Sequence, residues 1–176
     1  MRGLDSECGI TLKGQNKERV SWGMTPQSTL KTMDFKPHQL SASNLSSLFN
    51  AAYIDAEALE DCDVCVVKGE ITQFICVAEE QNMIHFLNKT KAPKDLKEEE
   101  VNKLINAINA QLTLIKASLR KDDHGDLIID FEYDYFIPKQ DTISAKTLIQ
   151  LSRVFENWVQ SSGSIYNQFH PVQAQK

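Results

Sequence analysis

The sequence lacks long hydrophobic runs and concentrated basic clusters, and both absences exclude classes of protein. Residues 1–14 have no apolar stretch of the kind that a signal peptide needs, and no segment reaches the roughly 18 apolar residues of a transmembrane helix. We therefore expect a cytoplasmic protein that does not contact a membrane. The net charge is −5 and the isoelectric point is about 5.4, so the Lys/Arg field that attracts nucleic-acid phosphates is missing. We expect no nucleic-acid partner.

Glycine and proline are also scarce, with 7 and 5 residues among 176, which excludes collagen-like and linker-dominated proteins. Four of the seven glycines lie in residues 1–36, a polar segment that we predict to be an N-terminal extension, partly ordered at best. Within it, Thr25 and Pro26 favour the start of a short helix. The hydrophobic share of 41% suffices for one core, predicted over residues 37–162, and residues 163–176 are predicted to be a tail.

Apolar residues recur at helical spacing in three segments. The first follows a candidate N-cap at Ser41 or Ser43 and ends near Tyr53. The second follows the acidic opening 98–100, which suits the positive end of a helix dipole, and ends near residue 111. The third carries apolar residues from Leu148 to Trp158 and is predicted to stop at residues 161–163, where a glycine follows two serines.

Five short segments between the helices read as strands, at residues 62–68, 71–78, 83–87, 113–120 and 127–136. Residues 89–95 are predicted to be a polar connection. The last strand alternates, with apolar and aromatic residues on one face and Asp130, Glu132 and Asp134 on the other, as in a sheet that is buried on one side. We therefore predict an α+β fold with an antiparallel sheet of about five strands and three helices, in the order α-β-β-β-α-β-β-α.

That order resembles the type III secretion chaperone-like fold, and within it the YbjN-type family of bacterial sensory-transduction regulators. The resemblance covers residues 35–162. It rests on a first helix that ends before an acidic segment, the valine-rich strand at 64–67, the charged turn at 121–126, and three asparagines of the second helix, Asn102, Asn106 and Asn109. It implies a compact domain, often dimeric, that binds polypeptide or regulates by contact. It supplies no catalytic residues.

The cysteines are the main candidates for a metal or redox site. Cys62 and Cys65 form a CxxC pair, but at the start of a predicted strand and not at a helix N-terminus, where the thiol pKa is lowered. Cys76 and His85 lie on neighbouring predicted strands, and the spacing of the four residues matches no standard zinc module. We predict no metal and reduced thiols that act as small core residues. A metal or thiol-based sensor built from these four residues is the alternative.

No other segment carries a recognisable catalytic or cofactor signature. The acidic run 122–126 resembles half of a calcium loop, but strands flank it and the ligand spacing of an EF-hand fails. The sequence shows no nucleophile elbow and no phosphate-binding loop. We predict no catalytic residue and no cofactor, while an enzyme whose active-site residues meet only in space stays open as an alternative.

The acidic row Asp130, Glu132 and Asp134 is the candidate partner-binding site. Such a row, on the exposed face of a sheet, would suit a basic segment of another polypeptide. The sequence therefore predicts a non-enzymatic regulatory or adaptor protein, chaperone-like, that binds another protein or peptide. The amphipathic helix faces would also allow a homodimer.

Overall fold

The computed structural model describes residues 33–138 and 141–169, and three α-helices lie in these ranges. They are α1 (Ala42–Ala51), α2 (Glu98–Gln111) and α3 (Ala145–Phe169). Helix α1 begins as predicted, because the side chain of Ser41 accepts a hydrogen bond from the backbone N–H of Asn44. No helix of the described part is both long enough and apolar enough to cross a membrane. The helix predicted from Thr25 lies outside the described residues.

Six strands form the main sheet, and every neighbouring pair is antiparallel. In chain order they are β2 (Asp55–Leu59), β3 (Val64–Lys68), β4 (Thr72–Ala78), β5 (Met83–Lys91), β6 (Lys116–Lys121) and β7 (Leu127–Phe136). Their spatial order is β2-β3-β4-β5-β7-β6. Two further strands, β1 (Asp34–Phe35) and β8 (Ile143–Ser144), pair with each other before α3. The α+β class, the antiparallel sheet and the three helices are confirmed.

The predicted element order missed one strand of the main sheet, β2, and the two short strands β1 and β8. The residues of β2, two alanines and two acids before Leu59, have low strand propensity. The strand forms through tertiary contacts: it pairs with β3 along its length, and the side-chain amide of Asn50 on α1 bonds both backbone groups of Ala56. The element order after α1 is therefore four strands, a helix, three strands and a helix, and the last of the three strands is the short β8.

Two predicted element ends were also wrong. Strand β5 continues through Lys89 to Lys91, in the segment predicted to be a connection, because the long strand β7 supplies a pairing partner for each residue. Helix α3 continues through Gly163 to Phe169 and does not stop at residues 161–163. A glycine inside a helix costs only about 1 kcal/mol. Burial of Ile165 in the core, with Tyr166 packed beside it, offsets that cost.

All three helices pack on one face of the main sheet. At its centre the ring of Phe86 on β5 lies 5.9 Å from that of Phe155 on α3 and 5.8 Å from that of Tyr133 on β7. Trp158 meets Tyr133 edge-on at 5.4 Å. Helix α1 covers β2 and β3, and α2 covers β6. In the described part of the chain, the opposite face of the sheet carries no helix, and we call it the open face.

Candidate functional site

Strand register places the open-face residues in rows that cross the sheet. One row runs from Leu59 through Val64, Cys76 and His85 to Asp134. A second joins Ala78, Met83 and Phe136. A third runs through Glu57, Val66, Phe74, Leu87, Glu132 and Lys116. Asp130 lies in the next row, between Lys89 and Ser118.

The middle of the open face is apolar. Its side chains are half-buried, except for Val66, which is buried. At the ends of two rows, Leu59 is 40% exposed and Phe136 is 65% exposed. Val66 and Ile128 are buried on this face but do not belong to the core cluster under the helices. A contiguous, partly exposed apolar surface with a polar rim is typical of an interaction site.

Asp130 does not present a free charge, so the prediction of an exposed row of three carboxylates was wrong at this residue. Asp130 is only 8% exposed, and its Oδ2 accepts a hydrogen bond of 2.7 Å from Nε of Arg120 on β6. Its other oxygen is buried and has no hydrogen-bond partner among the described residues. The alternation of β7 placed Asp130 on the right face, but it could not show that Arg120 and the neighbouring strands cover it.

Glu132 and Asp134 remain accessible on the open face. Asp134 is exposed, and its carboxylate contacts Nδ1 of His85 in the neighbouring strand. Glu132 is half-buried between Leu87 and Lys116, and it forms no ion pair with a described residue. These two carboxylates lie beside the apolar rows, and no permanent cation is bonded to either of them within the described residues. They could therefore meet a basic group of another molecule.

The four candidate metal-binding or redox residues do not converge. Cys62 is exposed in a short 3₁₀ helix (Glu60–Cys62), and Cys65 is buried on the helix-covered face. Cys76 and His85 are paired on β4 and β5, and Cys62 is near enough to Cys76 to contribute to the raised pKa of its thiol. Within the described residues no three His, Cys, Asp or Glu side chains form a possible metal site. The prediction that the cysteines are core residues holds for Cys65, and it is wrong for the exposed Cys62.

Cys76, His85 and Asp134 lie side by side on three adjacent strands, an arrangement that sequence reasoning had not found. These are the residue types of a nucleophile, a base and an orienting acid. However, burial raises the pKa of the Cys76 thiol, and the nearby Asp134 and Asp63 raise it further. Burial raises the pKa of Cys65 to about 12. Both thiols therefore stay protonated near neutral pH, which disfavours nucleophilic chemistry.

Comparison with known proteins assigns this fold. Residues 41–171 match the family model YbjN, described as "Putative bacterial sensory transduction regulator". The chain belongs to the YbjN family. It is also similar to a solved structure titled "Crystal structure of YbjN, a putative transcription regulator from E. coli", with 13% sequence identity, a TM-score of 0.57, and coverage of 75% of this chain and 94% of that one. No curated protein matches the chain.

The YbjN match confirms the family and the fold that the order of elements indicated. The family is described as regulatory, and this description names no enzymatic reaction. At 13% identity the solved YbjN structure shows the fold alone. The family therefore places this chain among regulators, and the role of its open face has to be argued from its own residues.

Two further features of the site in this YbjN-family chain were not found from the sequence. Glu57 and Leu59 belong to the open face, but they lie on β2, which low strand propensity concealed. Arg120 was placed on a predicted strand without a role. The sequence contains a signal for the second feature, since Arg120 and Asp130 lie on the two strands that flank a short turn and become diagonal neighbours when these strands form a hairpin.

Proposed function

We propose that this protein is a non-enzymatic regulator that binds another polypeptide on the open face of its main sheet. The observation that carries the proposal is an apolar surface that ends in the exposed ring of Phe136, next to two carboxylates that no Lys or Arg of the described residues pairs with, Glu132 and Asp134. Apolar area supplies affinity, and uncompensated charge at its rim supplies selectivity for a partner of opposite sign. The partner that fits is a polypeptide segment with apolar side chains beside Lys or Arg.

The edges of the sheet favour binding on the face over addition of a strand. On edge strand β2, Asn50 bonds the backbone N–H and C=O of Ala56 at 3.2 and 2.7 Å. On edge strand β6, Asn109 does the same to Ala117 at 2.7 and 2.9 Å. An incoming strand needs a row of free backbone groups, and each edge has two of them occupied by a helix side chain.

The proposal is tested with the purified full chain immobilised and exposed to lysate of its source cell. A polypeptide retained in near-stoichiometric amount is purified, and its affinity is measured for variants. We expect Phe136→Ser to weaken binding by at least about tenfold, and we expect a similar loss when Glu132→Gln is combined with Asp134→Asn.

Matched controls separate the open face from the rest of the surface. Val154→Ser removes an exposed apolar residue of α3, and Glu99→Gln with Asp123→Asn removes two exposed charges away from the open face. We expect both controls to bind as the wild type does. Equal affinity of all four variants would contradict the proposal, and so would the absence of any retained polypeptide.

A further inference from the structure

A cleft of about 540 Å³ lies away from the open face, between the end of α1, the β3–β4 turn and the middle of α3. Its volume is within the range of about 300–1,000 Å³ that is usual for small-molecule sites. Two of its three most buried lining residues are polar, since Gln73 is 1% exposed and Ser152 is 2% exposed, and the third is the apolar Val67. The Ser152 hydroxyl donates a hydrogen bond of 3.0 Å to the amide oxygen of Gln73. A polar base under an open mouth suits a polar ligand.

One wall of the cleft is fixed by a contact between α3 and the β3–β4 turn. Oε1 of Glu156 accepts hydrogen bonds from the backbone N–H groups of Glu70 at 2.9 Å and Ile71 at 3.3 Å. A Cβ atom at Gly69 would lie 2.5 Å from this oxygen, so a side chain here would displace the Glu156 carboxylate from its present position. Gln160 on α3 donates to Glu70 at 2.7 Å. The wall is therefore formed before any ligand arrives.

Tyr53 lines the cleft from a strained position at the end of α1. Its N–H bonds the carbonyl of Asn50, and the N–H of Ile54 bonds that of Phe49, which together form a Schellman motif. This motif favours glycine at the left-handed residue, yet Tyr53 occupies it with φ of 60°. The side chain is 85% exposed, so packing does not compensate for the strain. A bulky residue kept at such a position is typical of a functional site.

Some of the charged residues around the cleft form ion pairs and others do not. Its ionisable lining residues are Asp55, Lys68, Glu70, Arg153 and Glu156. Lys68 is bonded to Glu57 at 2.8 Å, whereas Arg153 has no acidic partner among the described residues. The Glu70 carboxylate receives its hydrogen bond from a neutral amide, so its charge is uncompensated. The cleft therefore offers one unpaired guanidinium together with an excess of carboxylates.

We propose that this cleft binds a free α-amino acid as a zwitterion. The ligand carboxylate pairs with Arg153, whose guanidinium suits bidentate contact, and its ammonium group lies near Glu70. The ligand side chain packs against the ring of Tyr53. A simple anion would meet the surplus carboxylates, and a simple amine would leave Arg153 unpaired. This site is separate from the open face, and it stands whether or not that face binds a polypeptide.

The test is calorimetric titration of the full chain with three matched probes. L-phenylalanine carries both charges, hydrocinnamate lacks the ammonium group, and phenethylamine lacks the carboxylate. We expect L-phenylalanine to bind with a Kd of about 1 mM or tighter, and the other two to bind at least about tenfold more weakly. No binding of L-phenylalanine, or equal binding of the three probes, would overturn the proposal.

Variants then locate the site. Arg153→Gln should weaken binding of L-phenylalanine by at least about tenfold, while Lys146→Gln, which removes an exposed charge of α3 outside the cleft lining, should not change it. Tyr53→Gly should raise the Tm, because it relieves the left-handed strain, and should still weaken binding. Unchanged affinity in Arg153→Gln would overturn the proposal, and so would unchanged affinity in a Tyr53→Gly protein of higher Tm.

Discussion

Arg120 and Asp130 form a bridge between β6 and β7 that belongs to the scaffold of the open face. The Asp130 side chain is 12% exposed and the Arg120 side chain 38%, so the pair is partly screened by solvent. A carboxylate that loses its partner in such a place remains desolvated without compensation. Asp130 therefore stabilises the sheet through Arg120, and Glu132 and Asp134 are the carboxylates left for a partner.

Substitution at Arg120 tests this division of roles. Arg120→Met should lower the free energy of unfolding by about 2 kcal/mol, because it leaves the buried Asp130 without its hydrogen-bonded cation. Lys116→Met, on the same strand and the same face, should change it by less than about 0.5 kcal/mol. Urea unfolding of both variants measures the difference. Equal stability of the two would show that the bridge contributes nothing.

Each edge strand of the sheet depends on an asparagine of the helix that covers it. Asn50 serves β2 and Asn109 serves β6, each with one donor and one acceptor for the same alanine. The hydrogen bonds from Asn50 help to explain why β2 forms from residues of low strand propensity. It also protects both edges from adding a strand of another chain.

The edge asparagines can be tested individually. Asn50→Ala and Asn109→Ala should each cost about 1–2 kcal/mol of unfolding free energy and should increase aggregation in light scattering. Asn106→Ala, an exposed neighbour on α2, should leave both properties unchanged. If the two edge variants behave as Asn106→Ala does, the proposed protection of the edges is wrong.

Two glycines with equal space around them should respond oppositely to alanine. A Cβ atom at Gly163 or Gly125 would meet nothing within 4 Å. Gly163 lies inside α3, so Gly163→Ala should raise the unfolding free energy by about 0.5–1 kcal/mol. Gly125 has φ of +83°, so Gly125→Ala should lower it by about 1 kcal/mol. A stabilised Gly125→Ala, or a destabilised Gly163→Ala, would contradict this account of α3 and the turn.

Across the whole molecule, the sequence predicted a helix or strand correctly where a single local pattern determines its structure. The alternation of β7 and the helical spacing of α1 and α2 predicted their faces because these segments bury a single side. Strand β2 and the end of α3 could not be predicted, because distant contacts form them: the pairing with β3 and the burial of Ile165. The cleft at Tyr53 needs three elements that lie far apart in the sequence, so no local motif could indicate it.

The open face is the central claim, and photo-crosslinking in the source cell tests it most directly. Phe136→p-benzoylphenylalanine places a reactive group on the open face, and Val154→p-benzoylphenylalanine places one on the outer side of α3. We predict one dominant adduct with another polypeptide from position 136 and none from position 154. Adducts of equal yield at both positions, no adduct at 136, or an adduct only with a second copy of this chain would contradict the claim.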